Sequence, residues 1–274
     1  MGDLFARALA RYRQAPLTFL LLSAVPIAAQ AILAAALLGR AVPMLADLRA
    51  DLLSGRLRTP TPEELAALFG TAAIGGALSL VALSVLGATL TAAMSSASPA
   101  VAIGPSFRAG LAAAPRLLLA AVTAFALFAG ALATLLVALA LVSLAVGDPL
   151  PFLIGVLASF ALSVYVAVSW ALLPAVVTLE APGPLRALRR AWALAAGRRW
   201  RILAVLLLIG LLQVGVGLVV GSLTGIAGAA GLDGPGLDVA ATIATGAIVA
   251  PMEWGVLTLL YERLRARADV SPAR

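Results

Sequence analysis

Long apolar runs alternate with short polar stretches along the whole chain. Six of these runs reach about 20 residues or more, which is the length an α-helix needs to cross the hydrocarbon core of a bilayer. They cover residues 17–39, 66–92, 117–146, 151–178, 201–229 and 238–261. The pattern predicts an all-α, polytopic membrane protein with six transmembrane helices, in a single integral membrane domain over residues 1–274.

An arginine-bearing amphipathic segment, ending near a Pro or Gly, precedes the first, third and fifth spans. The three segments read LFARALARYRQAPLTFLLL, SFRAGLAAAPRLLLAAV and PLRALRRAWALAAGRRWRIL. We expect three repeats of a surface helix followed by a hairpin of two spans, over residues 1–92, 93–178 and 179–265, with a short polar tail at 266–274. In the first repeat, Thr61, Pro62 and Glu64 are typical of the start of a helix.

The arginines divide unequally between the two sides of the membrane. The side holding both termini carries fifteen, whereas the other side carries four in a single loop. The positive-inside rule then predicts that both termini are cytoplasmic. The fifteen are Arg7, Arg11, Arg13, Arg108, Arg116, Arg186, Arg189, Arg190, Arg198, Arg199, Arg201, Arg263, Arg265, Arg267 and Arg274, and the four are Arg40, Arg49, Arg56 and Arg58.

The composition agrees with this class of protein. Hydrophobic residues make up 63% of the chain and charged residues 11%, against ~25% charged in soluble domains. In a soluble protein, the net charge of +7 would suggest nucleic-acid binding. Here the charge follows the membrane topology, and we expect no nucleic-acid partner.

A cleavable signal peptide ending near Ala29–Ala31 is the alternative for the N-terminus. The apolar run continues past that point, which favours a retained span.

The densest positive cluster lies between the fourth and fifth spans. At 100° per residue, Leu185, Leu188 and Trp192 share one edge of a helix, and the arginines occupy the adjacent flank. We expect this helix to begin at 182–184, to end near Gly197, and to lie in the interface with its apolar edge in lipid.

Two interpretations of this cluster remain open. The arginines could only fix the topology, or they could form a docking surface for anionic lipid headgroups or for a protein partner at the cytoplasmic face, with each arginine contributing ~1 kcal/mol. Trp200 would anchor the next span at the interface. The candidate docking residues are Arg186, Arg189, Arg190, Trp192, Arg198, Arg199 and Trp200.

Glu253 is the only acidic residue well inside a span. An ionisable group in the membrane is costly and is a candidate functional residue for that reason. It could form a structural ion pair or an interhelical hydrogen bond, or it could belong to a substrate or proton site. Gln30 and Gln213 are expected to form interhelical hydrogen bonds. Pro26, Pro174 and Pro251 each interrupt a predicted span.

Three glycines of the fifth span, Gly217, Gly221 and Gly225, recur at every fourth position. This spacing places them on one helix face, where another backbone can approach closely. We expect helix packing within the bundle, with a homodimer contact as the alternative.

The residue types argue against an enzyme. The chain has no His and no Cys, which removes Ser–His dyads, HExxH zinc sites and thiol chemistry. It has no phosphate-binding GxxxxGK[ST] motif, and one intramembrane carboxylate is too few for a two-Asp protease. We expect no cofactor and no metal.

Two stretches, WALLPAVVTLEAPGPLRALRRAWALAAGRRWRILAVLLL and VAPMEWGVLTLLYERLRAR, resemble the membrane domain fused to some bacterial glycerophosphoryl diester phosphodiesterases and its stand-alone six-span relatives. The chain departs from that pattern at Ala191 and at Glu262–Arg263, and it has no phosphodiesterase catalytic domain. The matching residues are Pro174, Glu180, Gly183, Pro184, Ala187, Leu188, Arg189, Trp192, Trp200, Pro251, Leu260, Tyr261, Leu264, Arg265 and Arg267.

The resemblance implies a multi-pass protein of the bacterial cytoplasmic (inner) membrane with a loose association with lipids, and no enzymatic activity carries over. We therefore expect a non-enzymatic, lipid-interacting or accessory membrane component. The alternative is a transporter or permease subunit whose path is lined by kinked spans and Glu253.

Overall fold

The computed structural model describes residues 2–53, 61–96, 102–231 and 234–270. Within these ranges the chain forms nine α-helices and no β-strand. The helices are α1 (Gly2–Gln14), α2 (Pro16–Leu53), α3 (Pro62–Ser95), α4 (Ile103–Val146), α5 (Leu150–Trp170), α6 (Leu173–Glu180), α7 (Pro184–Ala195), α8 (Arg199–Ala229) and α9 (Pro235–Val270).

Six segments are long and apolar enough to cross a membrane, which confirms the predicted all-α architecture with six spans. They are Pro16–Ala36, Ala73–Ser95, Ile103–Val146, Leu150–Glu180, Arg199–Ala229 and Gly236–Arg267. Large apolar side chains point outward from them: Leu157 and Phe160, for example, are 73% and 72% exposed. Contiguous apolar surface on this scale is unfavourable in water and fits a lipid environment.

The helices form one bundle. α3 packs between α2 and α4, and α9 contacts α1, α2, α3 and α8. The short helices α6 and α7 pack against α4 and against each other. The largest buried cluster joins α6, α7 and the adjoining ends of α8 and α9, where Val176, Ile202 and Tyr261 are fully buried. We call the end of the bundle that carries α1, α7 and the C-terminal end of α9 the α7 side.

The first and third predicted surface segments are separate helices, α1 and α7, but the second is not. It forms the beginning of α4, which runs through Pro115 as one helix of 44 residues. The prediction of a separate surface helix there is wrong: Pro115 removes one intrahelical N–H donor, and the hydrogen bonds on either side of it keep α4 a single helix. At 1.5 Å per residue α4 is about 66 Å long, more than the ~30 Å apolar core of a bilayer.

Other boundaries also differ from those predicted. α2 continues to Leu53, beyond the predicted end at 39, because Arg interrupts the apolar pattern but, like the Ala and Leu around it, favours a helix. α2 and α9 remain helical through Pro26 and Pro251. Only Pro174 coincides with a break, between α5 and α6. α3 begins at Pro62 as expected. The side chains of the four-arginine loop lie outside the described residues, and the threefold repeat stays a prediction.

Candidate functional site

Helix α7 carries most of the predicted docking surface and lies with its apolar face against the bundle. Its buried residues are Ala187, Leu188, Ala191, Leu194 and Ala195. The expectation that Leu188 lies in lipid is therefore wrong. Three of the five buried residues are alanines, whose small side chains let α7 approach α4, α5 and α6 closely. Leu185, at the beginning of the helix, remains exposed.

The predicted ends of α7 are confirmed. Gly183 is extended and precedes Pro184 at the first helical position, where the missing N–H of proline is harmless. Gly197 has a φ of +71° just after the helix, a left-handed conformation that glycine adopts without strain. These two breaks turn the chain sharply between α6 and α8 and hold α7 across the α7 side of the bundle.

One arginine of the cluster is held by an internal ion pair. The Nε–H of Arg190 donates to Oε1 of Glu180 at 3.3 Å. The same carboxylate oxygen accepts a hydrogen bond of 2.7 Å from the Tyr261 hydroxyl. Glu180 is largely buried, and these contacts connect α6, α7 and α9. Arg190 therefore stabilises the α7 side internally and is not available as an isolated docking charge.

Arg199, at the start of α8, is held among aromatic rings. Its guanidinium carbon lies 4.6 Å from the ring centroid of Tyr165 and 5.0 Å from that of Trp192. Its Nε–H donates to the Ser169 hydroxyl at 3.0 Å. The two rings meet edge-on with their centroids 5.5 Å apart. Cation–π contacts and one hydrogen bond thus fix the orientation of this guanidinium.

A groove of about 460 Å³ runs between α5 and α8, from Arg199 away from the α7 side. Its walls are mainly aliphatic, and Arg199 and Tyr165 lie at the end nearest α7. Trp200, which is 83% exposed, stands at the same end. The groove is lined by Ala161, Val164, Tyr165, Val168, Gly197, Arg199, Trp200 and Leu203.

A second pocket, of about 280 Å³, lies between α1, α8 and α9 on the α7 side. Four arginines line it, together with an apolar floor of Leu4, Ile202, Leu260 and Leu264. We call this cavity the arginine pocket; its four arginines are Arg198, Arg201, Arg263 and Arg267. The predicted docking residues thus separate: Arg198 joins this pocket, Arg199 lines the groove, and Arg186 and Arg189 remain exposed on α7.

The intramembrane polar residues meet in a third cavity, of about 300 Å³. Glu253 of α9, Gln30 of α2 and Gln213 of α8 all line it, with Thr242 and Thr245 on the same α9 wall. Gln30 donates an interhelical hydrogen bond of 3.2 Å to the Ser79 hydroxyl, as predicted. In the part of the chain that the structure describes, Glu253 makes no hydrogen bond or ion pair.

The three glycines of α8 do not pack against another helix of this chain. A Cβ atom placed on Gly217, Gly221 or Gly225 would meet nothing within 4 Å. The prediction of packing within the bundle is wrong, because this part of α8 turns its glycine face outward. The alternative of a homodimer contact stays a prediction.

Several residues of these sites were not singled out as site residues from the sequence. Arg263 and Arg267 are four residues apart, which places them on one face of a helix, so their spacing was an available signal. Tyr165 and Ser169 gave no comparable signal, because their role depends on α5 meeting α7 and α8.

A scan against protein-family models, a search of curated proteins and a search of solved structures find no match to the chain.

Proposed function

We propose that this protein is a non-enzymatic component of the bacterial inner membrane that binds a phospholipid with an anionic headgroup in the groove between α5 and α8. The observation that carries the proposal is the combination of an aliphatic groove with a fixed guanidinium at one end. A phospholipid has the same arrangement, with an acyl chain below a phosphate.

The part of the groove farther from the α7 side provides the acyl-chain site. Ala161, Val164 and Leu203 line it on two different helices, and the surrounding surface of α5 and α8 is itself apolar and exposed. An acyl chain lying there would contact protein on two sides instead of one. Because lipid tails are as apolar as these side chains, the gain comes from close packing rather than from leaving water.

Arg199 provides the headgroup site. Within the described residues only its Nε–H makes a hydrogen bond, so the N–H groups on both terminal nitrogens can donate to phosphate oxygens. An arginine fork suits a phosphate because two N–H groups can bind two oxygens at once. The rings of Tyr165 and Trp192 hold the fork in place before the lipid arrives, which lowers the entropy lost on binding.

Filling the groove tests this proposal. Ala161→Phe would occupy the acyl-chain site, whereas Ala167→Phe places the same ring on an exposed position of α5 that does not line the groove. We expect native mass spectrometry of the gently extracted protein to show a co-purified anionic phospholipid in the wild type and in Ala167→Phe. Ala161→Phe and Arg199→Gln should retain much less of it. Equal retention in all four proteins would refute the groove as the lipid site.

A transport function is the second candidate, and the cavity at Glu253 favours it. Glu253 lies two turns before Tyr261, about 12 Å along α9, and is joined in the cavity by two glutamines from other helices. A carboxylate among such groups could bind a proton or a cation within the membrane. This function needs a path through the bundle, whereas lipid binding in the groove does not.

Reconstitution into liposomes distinguishes the two functions. If the protein carries protons or cations, a pH-sensitive dye should report flux across liposomes containing the wild type and not across those containing Glu253→Gln. Ala161→Phe should leave that flux unchanged. Flux that is absent from the wild type, or that persists in Glu253→Gln, would refute the transport function for this residue and leave lipid binding untouched.

A further inference from the structure

We infer that the arginine pocket between α1, α8 and α9 is a binding site for an anion that carries two phosphate groups. This site is separate from the groove and does not depend on it. Arg199 turns toward α5 and α7, while Arg198 and Arg201, three residues apart, turn toward α9 and α1.

The charge in the pocket is only partly balanced. Four arginines line it, and within the described residues the one carboxylate that forms an ion pair with any of them is that of Asp3. Asp3 Oδ2 accepts a bond of 3.3 Å from Nη2 of Arg263, while Oδ1 is 3.1 Å from Nε of Arg7. One carboxylate is thus shared by two arginines, and Arg198, Arg201 and Arg267 form no ion pair within the described residues. A ligand with at least two negative charges would restore the balance.

The geometry of the pocket suits phosphate groups. Each guanidinium offers a planar fork of N–H donors that matches two oxygens of a phosphate. The arginines come from two helices, Arg198 and Arg201 from the start of α8 and Arg263 and Arg267 from α9. In a diphosphate placed between the two helices, each phosphate could therefore accept hydrogen bonds from the two guanidinium groups of one helix. The N-terminal end of α8 adds a favourable partial positive charge on the same side.

The size of the pocket limits what enters it. At about 280 Å³ it is at the lower end of the range for small-molecule sites, so it holds a headgroup rather than a whole lipid. Its apolar floor at Leu4, Ile202 and Leu264 would contact the carbon atoms next to a phosphate. The shared chemistry is a diphosphate anion, with two sources: a lipid of the cardiolipin type or a soluble diphosphate.

Two binding measurements on the purified full-length protein test the inference and separate the sources. Calorimetric titration with inorganic pyrophosphate, compared with orthophosphate, tests the soluble source. Native mass spectrometry after addition of cardiolipin or phosphatidylglycerol tests the lipid source. We expect the diphosphate member of at least one pair to bind more tightly than the monophosphate member. Binding only in the first pair assigns a soluble ligand, and binding only in the second assigns a lipid.

The double variant Arg201→Gln/Arg267→Gln should weaken that binding by about a hundredfold, or about tenfold for each lost charged hydrogen-bond partner. The matched control is Arg108→Gln/Arg116→Gln, which removes two exposed arginines of α4 that line no described pocket, and it should leave the affinity unchanged.

A variant that strengthens binding protects the test against a loss caused by misfolding. Asp3→Asn removes the carboxylate that competes for Arg263, so it should tighten diphosphate binding about two- to fivefold, the range expected for a surface charge pair. Two results would overturn the inference. One is a wild type that binds neither pyrophosphate nor cardiolipin; the other is binding that neither the double variant nor Asp3→Asn changes.

Discussion

The Tyr261 hydroxyl donates a 2.7 Å hydrogen bond to Oε1 of Glu180, which lies at the end of α6. The same oxygen is 3.3 Å from Nε of Arg190 on α7. One largely buried carboxylate therefore connects three helices on the α7 side. Glu180 and Tyr261 are 81 residues apart, so the fold brings together groups that are distant in the sequence.

Removing this carboxylate should destabilise the protein. Glu180→Ala leaves the Tyr261 hydroxyl and the Arg190 guanidinium without their partner, and we expect the free energy of unfolding to fall by about 1–3 kcal/mol, the cost of leaving a buried polar group unsatisfied. Tyr261→Phe removes a single hydrogen bond and should cost about 1 kcal/mol. The measurement is the midpoint of thermal unfolding in detergent.

The control for this prediction is Glu262→Ala, which removes an exposed carboxylate from the next position of α9. It should leave the unfolding midpoint within error of the wild type. A midpoint lowered as much by Glu262→Ala as by Glu180→Ala would mean that the loss reflects net charge and not the three-helix contact.

The spans could be predicted because apolar length is a local property of the sequence. A run such as 201–229 needs no knowledge of its neighbours to be identified. Individual polar residues were identifiable for the same reason, as Gln30, Gln213 and Glu253 show. Their meeting in one cavity was not predictable, because it depends on how α2, α8 and α9 pack.

The surface sites were harder to predict for a related reason. An amphipathic helix has the same pattern whether its apolar face meets lipid or protein, so the orientation of α7 could not be read from the positions of Leu188 and Ala191. Likewise, every arginine near a membrane surface has the same effect on the predicted topology, so the sequence does not distinguish their roles. In the structure, Arg190 forms an ion pair, Arg198 lines the arginine pocket, and Arg199 contacts two aromatic rings.

A close approach of α3 and α4 gives a second prediction. A Cβ atom on Gly110 of α4 would lie 2.6 Å from the Thr89 Cα atom of α3. Because the obstacle includes backbone, a small side-chain movement cannot relieve it. We expect Gly110→Ala to lower the free energy of unfolding by about 1–3 kcal/mol, the usual cost of overpacking, as measured by denaturation in mixed micelles.

Gly130→Ala is the matched control on the same helix. A Cβ atom at Gly130 would meet nothing within 4 Å, and alanine favours a helix over glycine by up to ~1 kcal/mol. This variant should be as stable as the wild type or slightly more stable. If both variants behave alike, α3 and α4 are not in close contact at Gly110.

Arg11 attaches the N-terminal helix to the end of α3, which gives a third prediction. Its Nη2 donates to the Ser96 carbonyl oxygen at 2.6 Å and lies 2.8 Å from the Ser96 hydroxyl oxygen. Arg11→Ala should loosen α1 without unfolding the bundle, so hydrogen exchange of the α1 amides should become faster while exchange in α8 stays the same. The Arg13→Ala control removes an exposed arginine from the same helix. Faster exchange in α1 with both variants would point to a general loss of positive charge.

The orientation of the protein in the membrane is a further prediction, and the absence of cysteine makes its test direct. Asp148 lies in the turn between α4 and α5, and Ala193 is exposed on α7, so one span separates them. Because the fifteen arginines that the sequence assigns to the side of both termini should remain in the cytoplasm, a membrane-impermeant maleimide added to intact spheroplasts should label Asp148→Cys and not Ala193→Cys. Permeabilised cells, in which both should react, control for accessibility of the thiols. The reverse pattern would place α7 outside, where its arginines could not meet cytoplasmic anions, and labelling of both variants in intact cells would contradict the span that α5 and α6 form.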